Sequence, residues 1–204
     1  MNEMEPDVID LLSGIEKGSP LDGLRAQRQA ARENAQKSYQ ALFAPTSLGS
    51  VSAKERHAVA AYVAGLHRDA GTLAFYMDGL GAQNASRSVV EAIMAEIAHG
   101  AAEGPFGRYP RGPLAKEDKA GHVGRISKAN RRTLGARLSA ALEHAHLLVF
   151  HPRDASPAAL QALLDAGWTT TEIVTLSQLV AFVSFRSGSS PACASWLNQP
   201  VKPD

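Results

Sequence analysis

Four side chains between residues 57 and 76 could together do acid–base chemistry: His57, Asp69, Thr72 and Tyr76. A histidine near an aspartate is oriented and kept basic, and a nearby tyrosine can give a proton or hold an oxyanion. Asp69, Thr72 and Tyr76 recur at helical spacing and share one face with Leu73 and Leu80. A plainer alternative needs no catalysis. In it Asp69 caps a helix, Thr72 sits in the first turn, Tyr76 packs with its hydroxyl satisfied, and His57 is an ordinary helix residue.

The elements that must position these groups lie in residues 51–80, VSAKERHAVAAYVAGLHRDAGTLAFYMDGL. Ser52 and Glu55 have capping-box spacing, which predicts a helix start. Val59, Tyr62, Val63 and Leu66 then recur at i, i+3, i+4 and i+7, with Ala60, Ala61 and Ala64 opposite. Such a helix can pack on both sides. A break is expected near Gly65, and Asp69 is expected to cap the second helix.

This stretch resembles the core of the alkylhydroperoxidase D-like, or carboxymuconolactone decarboxylase, superfamily. The family pattern is a Glu, a Cys-x-x-Cys and a following His. His57 stands where the family has its Glu, Asp69 and Thr72 where it has its cysteines, and Tyr76 where it has its His. The choice of these four as catalytic candidates rests on that frame. The family's thiolate pair uses a helix N-terminus to lower a thiol pKa. Asp69 and Thr72 cannot do that redox work, so the resemblance implies the fold without the thiol peroxidase cycle. A second block, ALLDAGWTTTEIVTLSQLVAFVSF, is similar to the family's Gly-Trp turn and following helix, with Phe185-Arg186 in place of the usual Asn-Arg ending. The likeness spans roughly residues 50–190, and GSPLDGLRAQRQAA resembles the N-terminal part of one subgroup.

The resemblance therefore implies an all-α bundle, with residues 1–49 as a helical extension, 50–190 as the core and 191–204 as a tail. Some family members decarboxylate without a cofactor, so cofactor-free acid–base chemistry on a small carbonyl or carboxylate compound is one expectation. The others are a non-catalytic subunit beside a cysteine-bearing relative, and a small-molecule binding protein. Family members form trimers or larger rings, which implies a homo-oligomer: a dimer, trimer or hexamer.

Composition agrees with a helical, cytoplasmic protein. The chain has 204 residues, a formal net charge of +1 and one cysteine, Cys193. Near-neutral charge gives no electrostatic case for nucleic acid or an anionic membrane. One cysteine excludes an internal disulfide and suits a reducing compartment. No basic patch precedes an apolar run at the N-terminus, which argues against a signal peptide. No apolar stretch has the length of a membrane span.

Along the chain, residues 1–18 read as a short amphipathic helix ending at Gly18, and residues 21–43 as one long exposed helix stopping before Pro45. Ser86 opens a helix with Val89, Val90, Ile93, Met94 and Ile97 on its apolar face. Residues 103–125 break the helical pattern, with Arg108 and Arg111 as candidate contacts for an anionic ligand under a lid. The alternative is an ordered subunit-contact loop. His144 and His146 lie on the next helix, 127–150, and point about 160° apart, a poor chelate geometry, so no metal is expected. Ser156-Pro157 and the Thr169/Glu172 capping box open two more helices, 157–167 and 170–186. Residues 187–204 are expected to loop over the surface. Nothing near Cys193 promotes a thiolate, so a structural or incidental role is expected there.

Overall fold

In chain order the helices are α1 (Val8–Ser13), α2 (Pro20–Ala26), α3 (Gln29–Phe43), α4 (Ala53–Leu66), α5 (Ala70–Ala82), α6 (Arg87–Gly100), α7 (Lys128–Phe150), α8 (Pro157–Asp165) and α9 (Thr170–Leu197). Two 3₁₀ turns, Pro113–Glu117 and Pro152–Asp154, lie between them. This computed structural model describes residues 7–47 and 49–197, with side chains to residue 187. The described residues form no strand, and the all-α class holds.

The central helix is α4, and its sequence says why. Every residue from Ala58 to Leu66 is buried, on the large apolar face and the alanine face alike. Alanines let neighbours approach closely, and α5, α6, α7 and α9 all pack on α4. The capping box forms as expected: Ser52 Oγ accepts from Glu55 N at 3.2 Å, and Glu55 accepts from Ser52 N at 2.9 Å. The break falls next to Gly65, as expected. The helix runs to Leu66, and Arg68 turns the chain at a φ of 58°. Gly65 lies within the helix, and Ile97 of α6 sits where a side chain on it would be. Asp69 then caps α5 as predicted.

Arg137 of α7 ties the two capping boxes together. Its guanidinium reaches Glu55 at 2.7 Å and Glu172 at 2.7 Å, and it stacks 4.1 Å over the Trp168 ring. Trp168 returns a hydrogen bond from Nε1 to the Arg137 carbonyl at 2.9 Å. The Thr169/Glu172 box also forms. The Arg137 hydrogen bond, with help from Thr169, holds the buried Glu172 carboxyl down at about 2. One cation thus locks the starts of α4 and α9 to the middle of the bundle.

Four expectations are corrected. Helix α1 stops at Gly14, not Gly18, because Gly14 adopts a φ of 62° and its N–H satisfies the last carbonyls. Residues 21–43 are two helices, α2 and α3, broken at Gln27–Arg28. The α3 helix is not wholly exposed: Leu42 and Phe43 join the core, and Tyr39 packs against it. An alternation of charges hid three apolar residues gathered at its last turns. Finally, α9 continues past residue 186 to Leu197, since serine and glycine lower helix propensity without forbidding a helix. Cys193 falls in that last stretch, where its side chain lies outside the described ones. No described helix is long and apolar enough to cross a membrane.

Candidate functional site

The four residues of the family frame do not form one constellation. Both oxygens of Asp69 go to Thr72, one to its N–H at 3.0 Å and one to its hydroxyl at 2.7 Å. That is a helix cap with a hydroxyl added. His57 faces the other way along its own helix, and its Nδ1 donates to the Ala53 carbonyl at 2.8 Å. The carbonyl can only accept, so the tautomer is fixed without any carboxylate. Asp69 therefore does not orient His57.

Tyr76 is fully buried in an aromatic cluster. Its ring lies 4.9 Å from Phe43, 5.2 Å from Phe75 and 6.4 Å from His57, centre to centre. Burial pushes its phenol well above the ordinary tyrosine range. Its hydroxyl has no hydrogen-bond partner among the described residues. Phe43 reaches this cluster from the last turn of α3. His57 and Tyr76 thus meet as packing partners, and Asp69 and Thr72 meet as a cap.

Arg108 and Arg111 are exposed on the 103–125 loop. The loop is pinned down at several points. Phe106 N donates to Phe150 O at 2.6 Å, Gly107 and Lys119 form a bridge, and Arg153 stacks 4.1 Å over Tyr109. Neither arginine lines the two cavities described next.

A cleft of about 290 Å³ opens between α7, the start of α8 and residues 123–125. Its floor is apolar: Ala140, Leu147, Ala159, Ala162 and Leu163. Its polar groups are Arg125, Glu143, His144, His146, His151, Asp154 and Ser156. Helix α7 supplies His144 and His146 on diverging faces, as the spacing predicted. Gly135, at a φ of 78°, breaks α7 one turn before Ser139 and sets the direction of this half. His151 and Asp154 belong to the 3₁₀ turn after α7, and Ser156 caps α8, accepting from Ala159 N at 3.4 Å.

The three histidines are held by different partners. His146 accepts at Nδ1 from Gly124 N at 3.2 Å and donates from Nε2 to Gly100 O at 3.0 Å. Burial pushes it down to about 4, against the Gly100 bond that favours the charged ring. His151 points Nδ1 at Asp154 Oδ2, 2.9 Å away, and Nε2 at the His122 carbonyl, 2.8 Å away. The His151 bond in turn holds Asp154 below the ordinary carboxylate range. His144 meets Ser177 Oγ at 3.3 Å through Nε2, while its Nδ1 has no partner. Burial lowers its pKa, which keeps the ring neutral.

Two Glu-x-x-His pairs, Glu96/His99 on α6 and Glu143/His146 on α7, have the spacing by which helical bundles hold metals. Here both glutamates are already engaged. Glu96 takes Ser127 N and Asn130 Nδ2 at the start of α7, and Glu143 pairs with Arg131 and accepts from Ile126 N. Among the described residues no three metal-type donors converge. A second, more open cavity of about 550 Å³ lies between α3 and α9, lined by Leu42, Pro45, Phe182 and Phe185.

No family model matches this chain, and neither does any curated protein or solved structure. The cleft residues Arg125, Glu143, His151 and Asp154 were not among the sequence candidates. The one signal for them was local: His151 and Asp154 stand three apart between a helix end and a capped Ser-Pro start.

Proposed function

We propose that this protein binds a small molecule in the cleft between α7 and α8. One observation carries the reading: the cleft is the place where an apolar floor meets converging ionisable groups, while the Tyr76 region is filled by its own aromatic rings. Binding sites have that mixed character, and about 290 Å³ is at the small end of their range. Of the three cleft histidines, only His144 keeps a ring nitrogen unbonded, and it is neutral. With a single cysteine the chain has no second thiol for a two-thiol peroxidase cycle.

A second reading has its own observation. Tyr76, which stands where the resembled family has its His, is packed into the core beside Leu73, as in a subunit that has given up catalysis to assemble with an active relative or with itself. Binding separates the two readings. Ligand-observed NMR with a set of small carbonyl and carboxylate compounds should show hits that vanish in Ala159→Phe, which fills the cleft. Hits that persist in that variant, or no hits at all, reject the cleft as the binding site.

A further inference from the structure

Two histidines grip the segment that walls one side of the cleft. Gly124 N donates to Nδ1 of His146 on α7 at 3.2 Å, and His151, just after α7, meets the His122 carbonyl through Nε2 at 2.8 Å. Gly124 is buried so close to the His146 ring that a Cβ there would lie 2.3 Å from it. Gly121 is as tight over Phe106, where a Cβ would lie 2.2 Å from the ring. Beyond these two contacts the chain runs straight into the cleft wall, Val123 to Arg125.

The two grips answer acid differently. A carbonyl only accepts, so His151 Nε2 donates to His122, and an added proton does not remove that bond. At His146 the roles are reversed. Its Nε2 donates to the Gly100 carbonyl at 3.0 Å, which leaves Nδ1 as a bare acceptor. A proton on Nδ1 takes that acceptor away and sets two N–H groups against each other. The surroundings offer the new charge little in return. His122 of the loop, His151 of the turn and His99 of α6 face the ring, and charge on any of them opposes it. Tyr62 of α4 meets it across Gly100. The neighbouring carboxylates are engaged elsewhere: Glu143 with Arg131 and Ile126 N, Glu96 with Ser127 N and Asn130, and Asp154 with His151.

We propose that His146 is an acid-operated latch: protonated at Nδ1, it lets go of Gly124, and the wall at residues 123–125 moves off α7 while His122 stays anchored, which opens the cleft. In the open segment the ring meets water and titrates at its ordinary 6.5, whereas burial holds the closed ring down at about 4. The closed form is therefore fully favoured above pH 6.5. Opening becomes about tenfold easier for each pH unit below that, until the closed ring is itself charged.

Hydrogen exchange on the full chain, read by mass spectrometry and corrected for intrinsic rates, tests this between pH 7 and pH 4.5. A peptide covering residues 120–126 should lose protection about tenfold per unit below pH 6.5 while peptides from α4 keep theirs. His146→Asn keeps an acceptor near the Nδ1 position and cannot take the proton, so it should flatten that dependence. Protection lost from α4 in step with the segment would overturn the latch, because acid would then be unfolding the bundle as a whole. Protection that is flat with pH, or a full dependence retained in His146→Asn, would overturn it too. A second readout needs no variant: the His146 ring-nitrogen NMR shifts should titrate with the same midpoint as the loss of Gly124 amide protection, and separate midpoints would overturn the assignment. These measurements read the wall and not a ligand, so failure of the latch and failure of the binding reading are told apart.

Discussion

Around Tyr76 the rings of Phe43, Phe75 and His57 close on one another, and α3 supplies Phe43. Around His144 the side chains stop short, because alanines at 140, 159 and 162 line the gap. Both regions contain a histidine and an aspartate that stands close to a helix start. In the first, Asp69 is consumed by Thr72 and His57 by its own helix. In the second, Asp154 and His151 bind each other, and the neighbouring imidazole keeps an open nitrogen. The difference lies in residue size. Large rings turn a candidate pocket into core, and small residues leave a place for something else.

The largest expected effect breaks the first region. Tyr76→Ala should lower stability by about 3–5 kcal/mol, the usual cost of emptying a buried aromatic site. The same variant should leave ligand binding in the cleft unchanged at temperatures where it is folded. Denaturant titration and calorimetry together check this. A small stability loss paired with lost binding would reverse the roles given to the two regions.

Acid should break the second region before the first. His146 sits neutral, with its pKa pushed down to about 4 from an ordinary 6.5. The unfolded chain therefore takes up a proton that the folded chain refuses between those values. Stability from this group is complete above pH 6.5 and is lost as pH falls towards 4. The loss amounts to about 3 kcal/mol at most. Glu172 acts in the same sense at lower pH: its stabilisation is complete above 4.5 and fades towards about 2. Equilibrium unfolding of wild type and His146→Gln at pH 7 and pH 4 separates the two, since the variant should show a flatter dependence over that interval.

The fold was far more legible than the site, for physical reasons. Both capping boxes, the Asp69 cap and the two-faced burial of α4 are local patterns, and all of them formed. The cleft is not local. Arg125, His144 and Asp154 become neighbours only after α7 turns back beside α8, and no spacing in the chain announces that. The family frame gave positions for His57, Asp69, Thr72 and Tyr76 but not the arrival of Phe43 from another helix. Nor could charge composition show that Arg125, rather than Arg108 or Arg111, reaches a cavity wall.

A smaller effect probes how tightly the first region is closed. A methyl group on Gly79 would lie 2.6 Å from His57 Nε2, too near for any side chain. Gly79→Ala should therefore cost about 1–3 kcal/mol, as overpacking does, despite the gain in helix propensity. Adding His57→Ala should return much of that loss, because the clash partner is gone. Strict additivity in the double variant would mean that the imidazole does not fill this space.

The smallest expected change is the most discriminating. The Tyr76 hydroxyl is buried and has no hydrogen-bond partner among the described residues. Removing a group in that state returns its desolvation cost, so Tyr76→Phe should shift stability by less than about 1 kcal/mol, in either direction. A hydroxyl that gives a proton or holds an oxyanion has the opposite signature: its removal costs turnover by factors of about a hundred or more and leaves the fold alone. Measured on any compound found to bind, unchanged affinity and unchanged turnover in Tyr76→Phe would keep the aromatic cluster as core. A large loss of turnover would move the chemistry back to the α4–α5 pair, and His144 would then have to be explained as packing.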